Sequence, residues 1–189
     1  MCHINMDNGY LEVIFGPMFS GKTTTIIQRY KQHTLLGHTI MVINYFQDKR
    51  YANKGLYSHD GMNIDCIQAE TLKQVIDDDK YNIDKHNVII INEGQFFSDI
   101  FETVIDLVEK KQKIVYVCGL DSDFQRKKFG NLLELIPYCD NIIKLQSLCM
   151  KCKTGKKALF SKRITTDESQ IVIGSDNYIP VCRTCYLTN

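Results

Sequence analysis

One eight-residue segment constrains the fold of this chain more than any other. Residues 16–23 read Gly-Pro-Met-Phe-Ser-Gly-Lys-Thr and fit the pattern G-x-x-x-x-G-K-[ST] at every fixed position. The apolar run Leu11–Phe15 precedes it and predicts a buried strand, and residues 23–36 have a length typical of a helix that ends at Gly37. Because the motif requires a strand before it and a helix after it, a phosphate-binding loop is favoured over a glycine-rich turn that merely contains a lysine.

This loop predicts that the chain binds a nucleoside triphosphate. Its glycines let the main chain curl, so that N–H groups point at phosphate oxygens. Lys22 would place a compact positive charge on the β- and γ-phosphates, and Thr23 would offer a hydroxyl to Mg²⁺. The motif does not say which acceptor receives the phosphoryl group. The residues of this segment predicted to bind ATP and Mg²⁺ are Gly16, Pro17, Met18, Phe19, Ser20, Gly21, Lys22, Thr23 and Thr24.

Strand-like and helix-like segments alternate over the first three-quarters of the chain. Further strands are predicted at residues 39–44, 88–92, 113–118 and 142–145, and helices near residues 69–77 and 99–111. Continuous apolar strands between helices indicate a parallel sheet that is covered on both faces. We therefore expect an α/β domain with a phosphate loop over residues 1–146 and a small metal-organised domain over residues 147–189.

The apolar strand at residues 88–92 ends in a carboxylate, that of Glu93. In folds with a phosphate loop we expect this strand beside the first one, so that its carboxyl end faces the phosphates. There Glu93 could act as a general base toward a hydroxyl or water; the alternative is a Glu that only caps a helix or is solvated. Asn92 stands where a carboxylate would usually hold Mg²⁺ through water, and its amide contributes no charge. Metal binding would then depend more on Thr23, on the phosphates and on Asp48.

Eight cysteines occur in the chain, and four of them form two C-x-x-C pairs separated by 29 residues. The pairs are Cys149 with Cys152 and Cys182 with Cys185. Four thiolates form a closed tetrahedral Zn²⁺ site, which is structural because no coordination position stays open. A redox dithiol, or cysteines that are unrelated to one another, are the alternatives. Of the others, Cys118 and Cys139 are expected to be structural, and Cys2 and Cys66 receive no role.

Composition and charge exclude several classes of function. The net charge is +1, and no face interleaves basic and aromatic residues, which argues against nucleic-acid binding. The longest clean apolar run, residues 88–91, is far too short to span a membrane. The first residues resemble no secretion signal, so a reducing, cytoplasmic location is expected. A P-loop ATPase whose zinc ribbon binds nucleic acid remains an alternative, since Lys151, Lys153, Lys156, Lys157, Lys162 and Arg163 form a local basic cluster.

These segments together resemble the type II thymidine kinase family, the cellular and poxviral kind. The matching stretches are 16–23, Glu-Gly-Gln-Phe-Phe-Ser-Asp-Ile at 93–100, Gly-Leu-Asp-Ser-Asp-Phe-Gln-Arg-Lys-Lys-Phe-Gly at 119–130, Cys-Met-Lys-Cys at 149–152, Ser-Lys-Arg at 161–163, Val-Ile-Gly at 172–174 and Tyr-Ile-Pro-Val-Cys-Arg-Thr-Cys-Tyr at 178–186. Asp48-Lys49-Arg50-Tyr51 and His59-Asp60 also fit. The resemblance covers nearly the whole chain and implies a RecA-like P-loop sheet with a C-terminal zinc domain.

The resemblance implies transfer of the ATP γ-phosphoryl group to the 5′-hydroxyl of thymidine, and also of deoxyuridine, to give the monophosphate in nucleotide salvage. Glu93 matches the catalytic base, and Asp48 and Arg50 match residues on the phosphate side. Asn92 and Gln95 are also predicted to bind ATP and Mg²⁺. The segment between the cysteine pairs resembles the family's lasso loop, whose main chain is expected to hydrogen-bond the base. The substrate-binding residues implied are Met18, Phe96, Leu120, Phe124, Phe129, Ser161, Gln170, Ile171, Val172, Ile173, Gly174 and Tyr178.

Three departures from the family pattern concern the site. Asn92 stands where the family usually has Asp, Ser161 stands where it often has Thr, and residues 174–178 are one residue shorter than the common form. These departures bear on Mg²⁺ binding and on the preference among nucleoside analogues. The resemblance further implies feedback inhibition by thymidine triphosphate and a homotetramer or dimer. A kinase acting on another nucleoside stays open as an alternative.

Overall fold

The computed structural model describes residues 8–46, 55–57, 63–167, 169–172 and 174–188. Three residues with predicted site roles, Asp48, Arg50 and Ile173, lie outside these ranges. The strands, in chain order, are β1 (Tyr10–Phe15), β2 (Ile40–Tyr45), β3 (Gly55–Tyr57), β4 (Asn63–Asp65), β5 (Ile67–Ala69), β6 (Val88–Asn92), β7 (Ile114–Gly119), β8 (Asn141–Lys144), β9 (Ser147–Leu148), β10 (Lys157–Ala158), β11 (Phe160–Arg163) and β12 (Tyr178–Val181). The α-helices are α1 (Lys22–Leu35), α2 (Lys73–Ile76), α3 (Ile100–Ile105) and α4 (Arg183–Leu187).

Six parallel strands form the central sheet in the order β5-β2-β6-β7-β1-β8. The α/β class with a parallel sheet is therefore confirmed. The expectation that the strand before Glu93 lies beside the first strand is wrong, because β7 lies between β6 and β1. Parallel strands nevertheless end at the same edge of a sheet, so Glu93 and the phosphate loop still meet there.

The sheet is buried on both faces, as its continuous apolar strands predict. In β6, Ile89 and Ile91 pack into one apolar core, and Val88 and Ile90 pack into the core on the opposite face. All four side chains are fully buried. Burial of each contributes about 1.5–3 kcal/mol, which fixes the strand that presents Glu93.

The helices differ in part from the sequence prediction. Helix α1 begins one residue earlier than predicted and ends before Gly37, whose φ of 76° is left-handed. The helix predicted at residues 69–77 is only the single turn α2, because residues 67–69 add the edge strand β5 to the sheet instead. Helix α3 continues as a π-helix over Asp106–Lys110. Among the described residues, no helix is long and apolar enough to cross a membrane.

The C-terminal segment forms two small antiparallel ribbons and one short helix. Strand β9 pairs with β10, and β11 pairs with β12. Helix α4 follows directly and includes Cys185, while Cys182 lies at its N-cap. The lasso loop connects β11 to β12. A hydrogen bond of 2.9 Å from the Ile164 N–H to the Asn177 carbonyl closes this loop at its base.

Candidate active site

The loop between β1 and α1 has the backbone shape of a phosphate cradle. Phe19 (φ 61°) and Gly21 (φ 84°) adopt left-handed conformations, which turn successive N–H groups toward one side. The Lys22 ammonium is buried and donates to the carbonyls of Gly16 at 3.1 Å and Pro17 at 2.8 Å. The charge is thus held inside the loop, at the N-terminus of α1, where an anion is favoured.

One hydroxyl of this loop shows that the residues present fit a polar ligand. The Ser20 Oγ atom is buried and has no hydrogen-bond partner among the described residues. A buried hydroxyl without a partner costs free energy, and a phosphate oxygen or a metal-bound water would supply the partner. Together with the ammonium of Lys22 and the hydroxyl of Thr23, the loop has the donors and acceptors that ATP with Mg²⁺ requires.

Glu93 lies at the end of β6, in a left-handed conformation with φ 56°. Its side chain is buried, and its Oε2 atom accepts a hydrogen bond of 2.7 Å from the Gln95 amide. The Gln95 Oε1 atom in turn accepts the Leu120 N–H at 2.9 Å. A Cβ atom at Gly119 would lie 2.3 Å from that same Oε1 atom, so only glycine allows the approach. Gln95 therefore fixes the carboxylate of Glu93 against the end of β7.

Asn92 is engaged at both ends of its amide. Its Nδ2 atom donates to Asn44 Oδ1 at 2.7 Å, and its Oδ1 atom accepts from Cys118 Sγ at 2.9 Å. The Asn44 amide donates onward to Gln68 at 3.3 Å. Cys118 is fully buried in β7, as expected for a structural cysteine, and it also supplies a hydrogen bond that sequence reasoning did not anticipate.

An aromatic cleft of about 800 Å³, including its mouth, connects these groups. Tyr45 stacks on Phe96 with ring centres 4.9 Å apart and planes 20° from parallel. Phe129 meets Phe96 edge-on at 5.3 Å. Flat walls of this kind suit a planar ring, which they contact over its full face. The lining residues are Met18, Lys22, Tyr45, Glu93, Gln95, Phe96, Leu120, Ser122, Asp123, Phe124, Phe129, Ser161, Gln170, Ile171, Val172, Gly174 and Tyr178.

The cleft thus brings together every described residue that was predicted to bind substrate. The lining does not include Asn92. Of the phosphate loop and the start of α1 it includes Met18 and Lys22, but not Thr23, Thr24 or the other predicted residues. Sequence reasoning missed Tyr45, Ser122 and Asp123. Tyr45 is the last residue of a strand that ends at the same sheet edge, and this position is the signal that could have found it.

The buried carboxylate of Asp123 organises the loop that carries Phe124. Its Oδ1 atom accepts the N–H groups of Gln125 and Lys127, both at 2.9 Å. Its Oδ2 atom accepts from the side-chain amide of Gln170 at 2.9 Å. One carboxylate therefore shapes the Phe124 loop and ties it to the lasso loop.

Two further hydrogen bonds connect the C-terminal segment to the rest of the site. The Ser161 Oγ atom accepts the Met18 N–H of the phosphate loop at 2.9 Å. The Tyr186 hydroxyl, next to Cys185, donates to the Phe124 carbonyl at 2.7 Å. The segment with the four paired cysteines is thereby connected both to the phosphate loop and to the loop that carries Phe124.

The four paired cysteines converge as predicted. The sulfur atoms of Cys149, Cys152, Cys182 and Cys185 all lie within 4.8 Å of one another. Tetrahedral Zn²⁺ with Zn–S bonds of about 2.3 Å would bring them to about 3.8 Å. The pKa of Cys149 is lowered to about 6: burial raises it, but hydrogen bonds from the backbone N–H groups of Cys152, Cys182 and Lys151 outweigh this. A thiolate is the form that binds metal, and the convergence of the four sulfur atoms is the observation by which the residues present fit zinc.

The fold and the site define a kinase of the P-loop α/β class, with a phosphate loop and a carboxylate at one edge of a parallel sheet and an aromatic pocket beside them. A sequence profile of the family described as thymidine kinase matches residues 9–186. The chain is 42% identical to the thymidine kinases of vaccinia virus strain Western Reserve and of variola virus over 183 residues, which is 96% of this chain and 99% of each relative. It is 40% identical to the thymidine kinase of sheeppox virus over 182 residues, 96% of this chain and 98% of the relative. The chain belongs to the thymidine kinase family.

Proposed function

We propose that the protein transfers the γ-phosphoryl group of ATP to the 5′-hydroxyl of thymidine, forming thymidine monophosphate and ADP. The observation that carries this proposal is the single cleft that contains Lys22 and Glu93 together with a flat aromatic pocket. A nucleoside that places its base among the aromatic rings extends its sugar hydroxyl toward the carboxylate. Family membership supports thymidine as the acceptor.

Glu93 is proposed as the general base. As the 5′-oxygen forms its bond to the γ-phosphorus, its proton passes to the Glu93 carboxylate and the bond to the β-phosphate oxygen breaks. Gln95 donates to one carboxylate oxygen at 2.7 Å, which fixes the orientation of the carboxylate at the end of β6. The left-handed backbone at Glu93 directs the side chain out of the strand toward the cleft.

The phosphate loop stabilises the charge that develops on the transferred group. Lys22 now donates to two loop carbonyls and would exchange these bonds for phosphate oxygens, with little movement of its charge. Mg²⁺ bound with ATP supplies further positive charge, and Thr23 is the residue that would hold it. The residues outside the described ranges, Asp48 and Arg50, are proposed to act on the phosphate side.

Base selectivity is proposed to come from the main chain of residues 170–174 in the lasso loop. Fixed main-chain donors and acceptors that match thymine would face an unmatched pattern in cytosine, which rejects cytidine strongly. Met18, Leu120 and Tyr178 are proposed to surround the 5-methyl group. Because that contact is only apolar, deoxyuridine should be accepted with a loss of about 1–3 kcal/mol.

Zinc is proposed to be structural and to organise a C-terminal domain over residues 147–189 that closes the substrate pocket of the domain at residues 1–146. The hydrogen bonds from Met18 to Ser161 and from Tyr186 to the Phe124 carbonyl support this coupling. Feedback by thymidine triphosphate, a homotetramer or dimer, and a cytoplasmic location in nucleotide salvage are carried over from the family resemblance as further proposals.

The test is a steady-state assay with ATP, Mg²⁺ and, separately, thymidine, deoxyuridine and deoxycytidine, with the monophosphate separated by chromatography. Thymidine should be the best substrate, deoxyuridine weaker and deoxycytidine inactive. Glu93→Gln should lose most turnover while thymidine still binds, and Glu109→Gln, which alters an exposed residue, should behave as wild type. A best rate with deoxycytidine, or no monophosphate from any nucleoside, would refute the proposed function.

A further inference from the structure

Arg163 is a buried cation that lies behind the substrate cleft. It is the last residue of β11, its side chain is only 8% exposed, and it is not among the residues that line the cleft. Its guanidinium carbon lies 3.8 Å from the centre of the Phe124 ring and 5.0 Å from that of the Tyr178 ring. Both rings line the cleft, so Arg163 contacts the wall of the pocket from outside it.

The same guanidinium also binds the lasso loop. Its Nη1 atom donates to the carbonyls of Asp167, at 2.8 Å, and Ser169. Its Nη2 atom donates to the Gln170 carbonyl at 3.2 Å and to the Tyr178 hydroxyl. A single planar group therefore connects three carbonyls of the loop with two aromatic walls of the pocket.

We propose that Arg163 is a positioning residue for the nucleobase, which sets the distance and orientation of the lasso loop relative to the Phe124 ring. This inference rests on the proposed function, in which the base lies between that ring and main-chain atoms of the loop. Three carbonyls that turn toward one cation fix the direction of the peptide groups at Asp167, Ser169 and Gln170. Residues 170–172 line the cleft, so the main chain beside these carbonyls inherits that direction where it borders the cleft.

Neighbouring contacts also restrain the middle of the loop, but they do not replace this cation. The Gln170 side chain reaches Asp123, and the Tyr178 hydroxyl donates to the Val172 carbonyl at 3.2 Å. Arg163 lies between these contacts and joins them. Only a planar fork of donors can stack on a ring and bind several carbonyls at once, so a lysine at this position keeps the charge and loses the geometry.

Three variants test the inference. They are Arg163→Lys, Arg163→Met and, as a matched control, Lys162→Met, which alters the other face of β11. Both Arg163 variants should raise KM for thymidine by about tenfold or more, with Lys no better than a partial rescue. Their KM for ATP and their zinc content should stay close to wild type, and Lys162→Met should change neither KM. Hydrogen exchange of the ligand-free protein should also quicken at residues 164–172 in both Arg163 variants.

Other outcomes separate this inference from the proposed function. A KM for thymidine that stays at the wild-type value in Arg163→Lys would overturn the inference, as would KM values for both substrates that rise together with loss of zinc. If Arg163→Met does not fold, Tyr178→Phe decides, because it keeps the ring and removes one acceptor of the guanidinium; an unchanged KM for thymidine there counts against the inference. Failure of the wild type to phosphorylate thymidine would instead refute the proposed function, while exchange at residues 164–172 would still test whether Arg163 orders the loop.

Discussion

Replacement of Gln95 by glutamate tests whether Glu93 acts as the base. The two side chains are already in contact at 2.7 Å, and glutamate has the shape of glutamine, so the second carboxylate would occupy the position of the amide. The Leu120 N–H would keep an acceptor, since the oxygen that it now contacts remains. Two carboxylates at this distance share one proton rather than ionise together.

The size of the expected pKa shift follows from the distance between the two carboxylates. Charges about 4 Å apart in a medium of effective dielectric constant about 20 repel each other by about 4 kcal/mol, which corresponds to about 3 pH units. A base must be ionised to accept a proton. The acid limb of the pH profile of kcat should therefore move to higher pH by about 3 units. Added to the ordinary glutamate pKa of about 4.3, this shift places the acid limb near pH 7, so Gln95→Glu should be nearly inactive at pH 5 and regain activity between about pH 7 and 9.

The assay is thymidine phosphorylation from pH 5 to 10 at saturating ATP and Mg²⁺. Gln32→Glu, which introduces the same charge at an exposed position beside Arg29, should keep the wild-type profile. Thermal unfolding of each variant establishes that the compared proteins are folded. A Gln95→Glu profile that coincides with wild type would refute the assignment of Glu93 as the base.

Three further predictions concern the metal, the buried amides and pH. Cys152→Ser should lose most of its zinc by elemental analysis while Cys139→Ser retains it, and full zinc in Cys152→Ser would contradict the ligand set. Asn92→Asp should bind Mg²⁺ as well as wild type or better in a titration of activity, and a clear weakening would show that Asn92 has a different role. Burial, and then the charges of His38 and Arg29, lower the pKa of His33 to about 4, so the folded state binds fewer protons than the unfolded state between pH 6.5 and 4. The free energy of unfolding should therefore fall by up to about 3 kcal/mol as pH drops through that range, and denaturant titrations of His33→Gln that keep the wild-type slope would contradict this.

The parts of the site that could be predicted from sequence are those that local spacing determines. A loop of eight residues between a strand and a helix brings its own N–H groups together, so residues 16–23 could be interpreted without knowledge of the rest of the fold. Each C-x-x-C pair likewise forms half of a metal site by itself. The two halves are separated by 29 residues, and they meet because the antiparallel ribbons in this part of the chain reverse its direction.

The residues that were missed depend on contacts between distant segments. No spacing in the sequence assigns a role to Asp123, which becomes evident only when Gln170 comes within 2.9 Å of it from the lasso loop. Tyr45 became a wall of the cleft because its strand neighbours β6, which brings it onto Phe96. The strand order itself could not be read from the sequence, since apolar periodicity gives the faces of β6 and β7 but not which of them lies beside β1.

The helix predicted at residues 69–77 shows how tertiary pairing can decide between alternatives. Residues 67–69 pair with Ile43–Tyr45 at the edge of the sheet, and the backbone hydrogen bonds gained there leave only one helical turn after them. The apolar residues in this segment, including Leu72 and Val75, are buried, and an amphipathic helix would also direct such residues to the core. Hydrophobic pattern alone therefore could not separate a short edge strand from the beginning of a helix.

The most direct test of the account is a crystal structure of the protein with thymidine bound. The thymine ring should lie against Phe124 in the aromatic cleft, and main-chain atoms of residues 170–174 should contact its polar edge. The 5′-oxygen should lie within about 3 Å of a Glu93 carboxylate oxygen. Thymidine bound outside this cleft, or in it with the 5′-oxygen directed away from Glu93, would contradict the account.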